Sequence, residues 1–474
     1  MSEENRQKPW FKLTCLGCFI VPCLLGLGTF GYIKYRINQK ADQLPVELAK
    51  IKAMGLPTTS EELNARVPVS QGQNAATVYR ELIAEYESLK KEKEPKEVLN
   101  LLVGEVAKEP IPHANQLLKD ALARRAKIFT LVTQASKIPN CNFERDWTKG
   151  AALLFPEFAS IKEVAKWLAT RAKLQVRQGD KAGAIESVND IFSLAHHMGQ
   201  DPTMIGALVS IAIDAIGVAA LEAVTETERN DATYLAMARQ MMERLPPLPI
   251  MKDAFAGELV GGRYTIASIR SARDLGFFEE GFEPMRHIPF SDPAVRKMFE
   301  ASFVRAWREV LTLLPEDPDE WKKASEDMDK FGQKLDADKS IENTLNRIMF
   351  PVFSNAFQAR AIALARRRVA SVSLRLLQDR LHALPKTITQ YGPIAIDPMD
   401  GKPLRFKADG RGFRVWSIDR DLVDNGGVRY KRGTGAYRDV DYVWGFDTVI
   451  PEAKPPTGPA GGPPPAISIG AESR

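Results

Sequence analysis

The chain has 474 residues, 44% of them hydrophobic and 26% charged, an ordinary globular composition with room for about three domains and a sizeable core. Lys plus Arg number 65 against 60 Asp plus Glu, and a formal charge of +5 over this length excludes the basic footprint of a nucleic-acid binder. Of the four cysteines, Cys15, Cys18 and Cys23 lie in one apolar stretch and only Cys141 remains for the folded part, so a disulfide framework there is excluded.

That apolar stretch runs from Leu13 to Ile33, 21 residues without a charge. At 1.5 Å per residue it covers the roughly 30 Å hydrocarbon core of a bilayer. Trp10 and Phe11 precede it and Tyr32 and Tyr35 end it, where amphipathic rings meet the headgroups. The bulky Tyr32–Tyr35 exit offers no small-residue cleavage site, so an uncleaved transmembrane anchor over 13–33 is expected. Basic residues do not orient it: Arg6, Lys8 and Lys12 match Lys34, Arg36 and Lys40. A short N-terminal tail before a long C-terminal body favours export of the body. Gly26, Gly28 and Gly31 spell GxGxxG, but inside a span the spacing serves helix packing rather than a dinucleotide.

From 41 to 384 the periodicity is predominantly helical. Asn74 caps a face of Ala75, Val78, Tyr79, Leu82, Ile83 and Tyr86, and turn signals recur at Pro110–Pro112, Pro139–Asn140, Leu245–Pro249 and Leu314–Pro318. Leu168, Ala172, Gly179, Asp180, Ala184, Ile185, Val188 and Ile191 predict a helix, a tight turn and a second helix, like one tetratricopeptide hairpin. No further copy follows at a 34-residue period, so a hairpin inside an α-helical bundle is the reading. Met204–Leu221 is the second most apolar stretch; with Asp214 near its centre it is expected as a buried helix rather than a second span. Ile362, Ala365, Val369, Val372 and Leu376 predict a core seam late in the bundle.

Catalytic patterns are sparse. The five histidines, His113, His196, His197, His287 and His382, show no i, i+4 pair around a glutamate, and neither GxSxG nor GxxxxGK[ST] occurs. Ser88 and Lys91 fit SxxK only within a Lys/Glu-rich run. Asp336, Asp338 and Ser340 mimic the start of an EF-hand, but Ile341 and Arg347 occupy the positions that need Gly and Glu.

From 385 to 449 the period changes to two, predicting a small antiparallel β module. Leu404 and Phe406 alternate with polar neighbours, Asp409–Gly410 makes a hairpin turn, Phe413–Ile418 returns, and Asp441–Trp444 is a third strand. Asp419, Asp421, Asp424, Asp439 and Asp441 crowd one end of this sheet. Such a cluster needs a cation or arginines, and hard carboxylate oxygens suit Ca²⁺. Arg420, Arg429 and Arg432 offer the competing neutralisation.

Asp397-Pro-Met-Asp-Gly401-Lys-Pro-Leu404, Trp416-Ser-Ile418, Asp421, Gly426–Gly427 and Asp439-Val-Asp441 resemble the C-terminal β-region of the type II secretion major pseudopilin. The resemblance implies a calcium loop with Asp421, Asp439 and Asp441 as side-chain ligands, Asp424 as a further one, and carbonyls near Ser417 and Ile418. It covers about 396 to 444. Asp419 and Leu422 stand where that family usually has glycine, Val428 to Arg438 is an insertion, and no GFTLxE-type processing site begins the chain, so polymerisation is not implied. The whole layout, with a GLPTTSEEL-like opening at Gly55–Leu63, also resembles single-span envelope proteins of environmental bacteria. That likeness implies a bacterial envelope protein; with the body exported, residues 1–12 are expected in the cytoplasm, 13–33 in the inner membrane and the body in the periplasm. The Pro/Gly-rich tail, 450–474, is expected to be disordered.

The expected function is therefore binding or assembly by a membrane-anchored extracytoplasmic protein with a calcium-braced β module, a protein partner and no catalysis. The alternatives are an envelope hydrolase using paired carboxylates and a pseudopilus-associated secretion subunit.

Overall fold

The computed structural model describes residues 10–70, 72–92, 98, 114–271, 274, 285, 287–315, 317, 320–350, 353–380, 383–429 and 440–452, the side chains of 10–24 and 114 excepted. Asp439, His113, His382, Arg432 and most of the tail lie outside the described residues.

The first helix, α1 (Trp10–Ala41), spans the predicted apolar stretch and runs on beyond it. Its 32 residues measure about 48 Å. Leu25, Leu27, Phe30, Tyr32, Ile33 and Tyr35 are each more than half exposed, whereas Ile37 packs on the core and Ala41 is buried. Only Asp42 and Gln43 separate α1 from α2 (Leu44–Ala53), and Gln43 keeps near-helical backbone angles. Both helices pack against α12 (Pro293–Leu313).

Between them lie α3 (Ser60–Asn64), α4 (Ala75–Lys90), α5 (Ala114–Arg124), α6 (Ala126–Ala135), α7 (Pro156–Arg177), α8 (Lys181–Gly199), α9 (Met204–Glu228), α10 (Ala232–Glu243) and α11 (Met251–Ser268). Polar caps start several of them. Asn74 Oδ1 accepts the Ala76 amide at 3.1 Å, Asp180 that of Gly183, Thr203 that of Gly206 and Asp231 that of Tyr234. Gly179, at φ +82°, makes the predicted turn, and α7 and α8 pack side by side as a hairpin.

The apolar helix α9 lies against α7, α8 and α15 (Ser354–Asp379). By length and composition, Met204–Glu228 and the stretch Ile341–Asp379 are apolar enough to cross a membrane, yet each is more than half buried within the protein. Asp214 explains why α9 suits a protein interior: its Oδ1 accepts from Arg367 Nε at 2.7 Å, a partner from α15.

The remaining helices are α13 (Trp321–Ala337) and α14 (Thr344–Met349). On α13, Trp321, Ala324, Met328, Phe331 and Leu335 form the buried face and the acidic residues look outward. Among the described residues two large apolar cores result, one built on α4 and α6–α10, the other on α2 and α11–α14, beside a small cluster of Leu63, Trp147 and Val260. Helix α15 joins them, with Ile362 and Ala365 in the second core and Val369, Val372 and Leu376 in the first.

Strands β1 (Arg405–Asp409), β2 (Gly412–Ser417) and β3 (Tyr442–Phe446) form one antiparallel sheet in that order, near the predicted positions. Gly410, at φ +60°, turns the first hairpin, so that Phe406 faces Val415. In the second, Trp416 pairs with Val443. Phe413, Val415, Trp444 and Phe446 are buried in the first core, where the sheet meets α15.

Candidate functional site

The residues before β1 already bind the end of the sheet together. Gly401, at φ +73°, lets its amide reach the Asp397 carbonyl at 2.8 Å and close a turn. The Asp397 side chain, fully buried, accepts from the Met399 amide at 3.0 Å, Ser417 Oγ at 2.9 Å, the Ile418 amide at 3.2 Å and Arg405 at 2.8 Å. Burial pushes its carboxyl up, against the pull of these donors. Arg405 reaches on to Asp400 at 2.7 Å and to Asp424 at 3.6 Å, so one guanidinium faces three carboxylates. Burial pushes Asp400 up, but the hydrogen bond and charge of Arg405 outweigh it and hold the group below the usual carboxylate range.

The loop after β2 follows the same logic with backbone donors. Asp421 accepts the Val423 amide at 3.1 Å and Asn425 Nδ2 at 3.2 Å. Asp424 Oδ1 accepts Trp416 Nε1 at 2.9 Å and the Gly426 amide at 3.0 Å. Asp441 takes the amides of Asn425 at 3.2 Å and Gly427 at 2.7 Å, and burial raises its carboxyl to about 6. Asp419 and Leu422, which replace glycines of the resembled family, adopt φ +46° and +59°, the left-handed region. At Gly427, φ +72°, a Cβ would come within 2.9 Å of the Trp416 ring.

Among the described residues, no three His, Cys, Asp or Glu side chains gather closely enough to hold a metal ion. Asp421, Asp424 and Asp441 therefore do not form a cage by themselves, and Asp439 lies outside the described residues. Among the described residues the neutralising arginines differ in part from the expected ones: Arg420 acts on Asp419, and Arg432 lies outside the described residues. Arg405 and, at 3.5 Å from Asp419, Arg366 serve the cluster, while Arg429 turns to Glu222 and the Val443 carbonyl. Arg405 opens β1 and Arg366 sits on α15, so neither is adjacent in sequence to the aspartates it meets.

A second site, absent from the sequence reading, is a cleft of about 430 Å³. The end of α8, the start of α9, the Pro247–Ile250 stretch and Arg66 enclose it. Its polar groups are His196, Gln200, Ser210 and the Arg66–Asp253 ion pair. Gln200 is fixed by backbone: Oε1 accepts the Cys141 amide at 2.6 Å and Nε2 donates to the Pro139 carbonyl at 2.9 Å. Its remaining N–H therefore donates to His196 Nε2 at 3.0 Å, which assigns the proton of His196 to Nδ1. His197 takes the opposite tautomer, since Nε2 faces the Ile138 carbonyl at 2.8 Å and Nδ1 faces Tyr79 Oη at 2.6 Å. Burial pushes both imidazoles down, His197 to about 4.

Behind the cleft, Arg145 joins Glu157 and, at 2.5 Å, Asp201 in a buried ion-pair group. Phe143, Phe155 and Phe158 surround its guanidinium. The sequence marked parts of this region singly, as the Pro139–Asn140 and Leu245–Pro249 turns, His196 and the apolar Met204–Leu221 stretch, but not their meeting, because they come from separate segments of the chain.

The fold and these sites define a mainly helical protein with a small three-stranded antiparallel sheet. No family model, no curated protein and no solved structure matches the chain.

Proposed function

We propose that this is a membrane-anchored binding or assembly protein, held by residues 13–33 in a bacterial inner membrane with its body on the periplasmic side. The observation that carries the reading is the free apolar surface of α1, from Leu25 to Tyr35, on a helix long enough to cross a bilayer. The body meets a protein partner, and the sheet and its carboxylate loop form part of the contact surface.

The test uses the full chain in isolated membranes. The protein stays with the vesicles after an alkaline carbonate wash, and Leu25→Arg with Leu27→Arg releases it, each arginine costing about 3 kcal/mol at the centre of a span. A chain washed off like a peripheral protein would overturn the anchor. Protease added to spheroplasts digests the body; a protected body would overturn the periplasmic side alone.

The finer part of the proposal is the calcium brace, with Asp421, Asp424, Asp439 and Asp441 as ligands. The left-handed φ at Asp419 and Leu422 supports it, because those backbone angles suit a glycine-type loop. Calcium would have to draw Asp441 from the amides of Asn425 and Gly427. At 100 times its dissociation constant it would stabilise the fold by about 2.7 kcal/mol. The expected outcome is a higher thermal midpoint in millimolar calcium than in chelator, lost in Asp421→Ala and Asp441→Ala. An unchanged wild-type midpoint would leave these carboxylates to the amides and to Arg405.

A further inference from the structure

We propose that the cleft between α8, α9 and the Pro247–Ile250 stretch binds an uncharged small molecule with an apolar body and a hydrogen-bond-accepting carbonyl oxygen. The proposal goes beyond the anchored reading and stands whether or not α1 spans a bilayer.

The volume, about 430 Å³, lies in the range of small-molecule sites. One wall is made by Pro247, Leu248 and Pro249, and Pro202 adds a further ring. Proline has no N–H to offer, so this wall is short of donors. The stretch is held at both ends: Arg367 donates to Pro246 O, just before the wall, at 2.6 Å and Arg360 to Pro249 O at 3.0 Å, both from α15. The wall is thereby fixed from behind and offers its rings and the Leu248 side chain to an apolar ligand.

Two polar groups are left over. Ser210 lines the cleft, is only 2% exposed, and its hydroxyl has no partner among the described residues. Gly199 faces it; a Cβ there would fall 2.8 Å from Ser210 Oγ, so glycine leaves the hydroxyl room. The second group is His196, whose Nε2 is occupied by Gln200 and whose proton is therefore on Nδ1. A hydroxyl and an N–H at an apolar wall suit a carbonyl oxygen. The charged pair lining the cleft, Arg66 with Asp253, is internally balanced, so it leaves no spare charge to hold an ionic ligand.

The test uses the full chain in lipid nanodiscs and 4-fluoroacetophenone followed by ¹⁹F NMR, with empty nanodiscs subtracted. Saturable binding is expected, with 4-fluoroethylbenzene, which lacks the acceptor, at least fivefold weaker. Ser210→Ala should weaken the acetophenone probe about fivefold and leave the ethylbenzene probe unchanged. Ser210→Leu should abolish binding by filling the cleft; if it fails to fold, the alanine variant decides. No saturable binding at millimolar probe, equal affinity for both probes, or an Ser210→Ala protein that binds like wild type would each overturn the proposal.

Discussion

The helical body and the C-terminal loop both gather acidic side chains, and they match them by different means. In the body, Asp214 meets Arg367, Glu157 and Asp201 meet Arg145, and Glu300 meets Arg263, each arginine coming from a different element. In the loop, Asp421, Asp424 and Asp441 each accept at least one backbone amide of the same loop, and Arg405 adds its charge at Asp424. A buried charge matched by a distant charge depends on the assembled fold. A carboxylate matched by nearby amides depends on one loop's backbone, so its removal is felt locally.

The sharpest way to break this comparison is to remove one member of a body pair. Arg367→Ala leaves Asp214 buried and unmatched and should cost about 3–5 kcal/mol in urea denaturation. Asp214→Leu combined with Arg367→Met should recover most of that loss, since an apolar pair of similar volume needs no partner. Equal losses in the single and double variants would mean that packing, not charge, dominates there.

Next comes Asp397, which belongs to the β module yet is fully buried like a body acid. Asp397→Ala strands the Met399 and Ile418 amides, Ser417 Oγ and one bond of Arg405, and should cost about 3 kcal/mol. Asp421→Ala in metal-free buffer frees one amide and one side-chain amide near solvent and should cost below about 1 kcal/mol. If the two variants prove equally costly, burial is not what separates the regions.

A gentler probe is pH. Burial raises the carboxyls of Asp441 and Asp190 to about 6, above the ordinary value near 3.9. The folded chain then holds protons that the unfolded chain has released, so stability falls as pH rises from about 4 to 6. Each group contributes a slope of at most about 1.4 kcal/mol per pH unit. Asp441→Asn and Asp190→Asn should each flatten that slope in denaturation curves taken across this window.

The same contrast explains what the sequence made legible. The Asn74 cap, the Gly179 turn, the α15 seam, the helix over the apolar N-terminus and the three strands are set by residues within a few positions of one another, and each is readable as a pattern. Asp214 stood out in its apolar stretch, but its partner lies 153 residues away and nothing local points to it. Arg420, Arg429 and Arg432 are nearer the aspartates in sequence than Arg405, which reaches them only because a hairpin brings the start of β1 to the far end of β2. The cleft was invisible for the same reason: His196, Ser210 and Pro249 form one site only after three segments have packed.

The join between α1 and the body carries a mechanical consequence. Ile37 and Ala41 are already part of the packed protein, Lys40 pairs with Glu342, and Glu47 on α2 meets Arg308 at 2.8 Å. From Ile33 to Ala41 the rise is only about 12 Å, and no flexible tether intervenes. Under the anchored reading the body behaves as a blade fixed to its handle. A helix tilt of about 20°, ordinary for single spans, would swing the cleft and the carboxylate loop through the same angle. The thickness of the surrounding lipid would then set the direction in which both sites face.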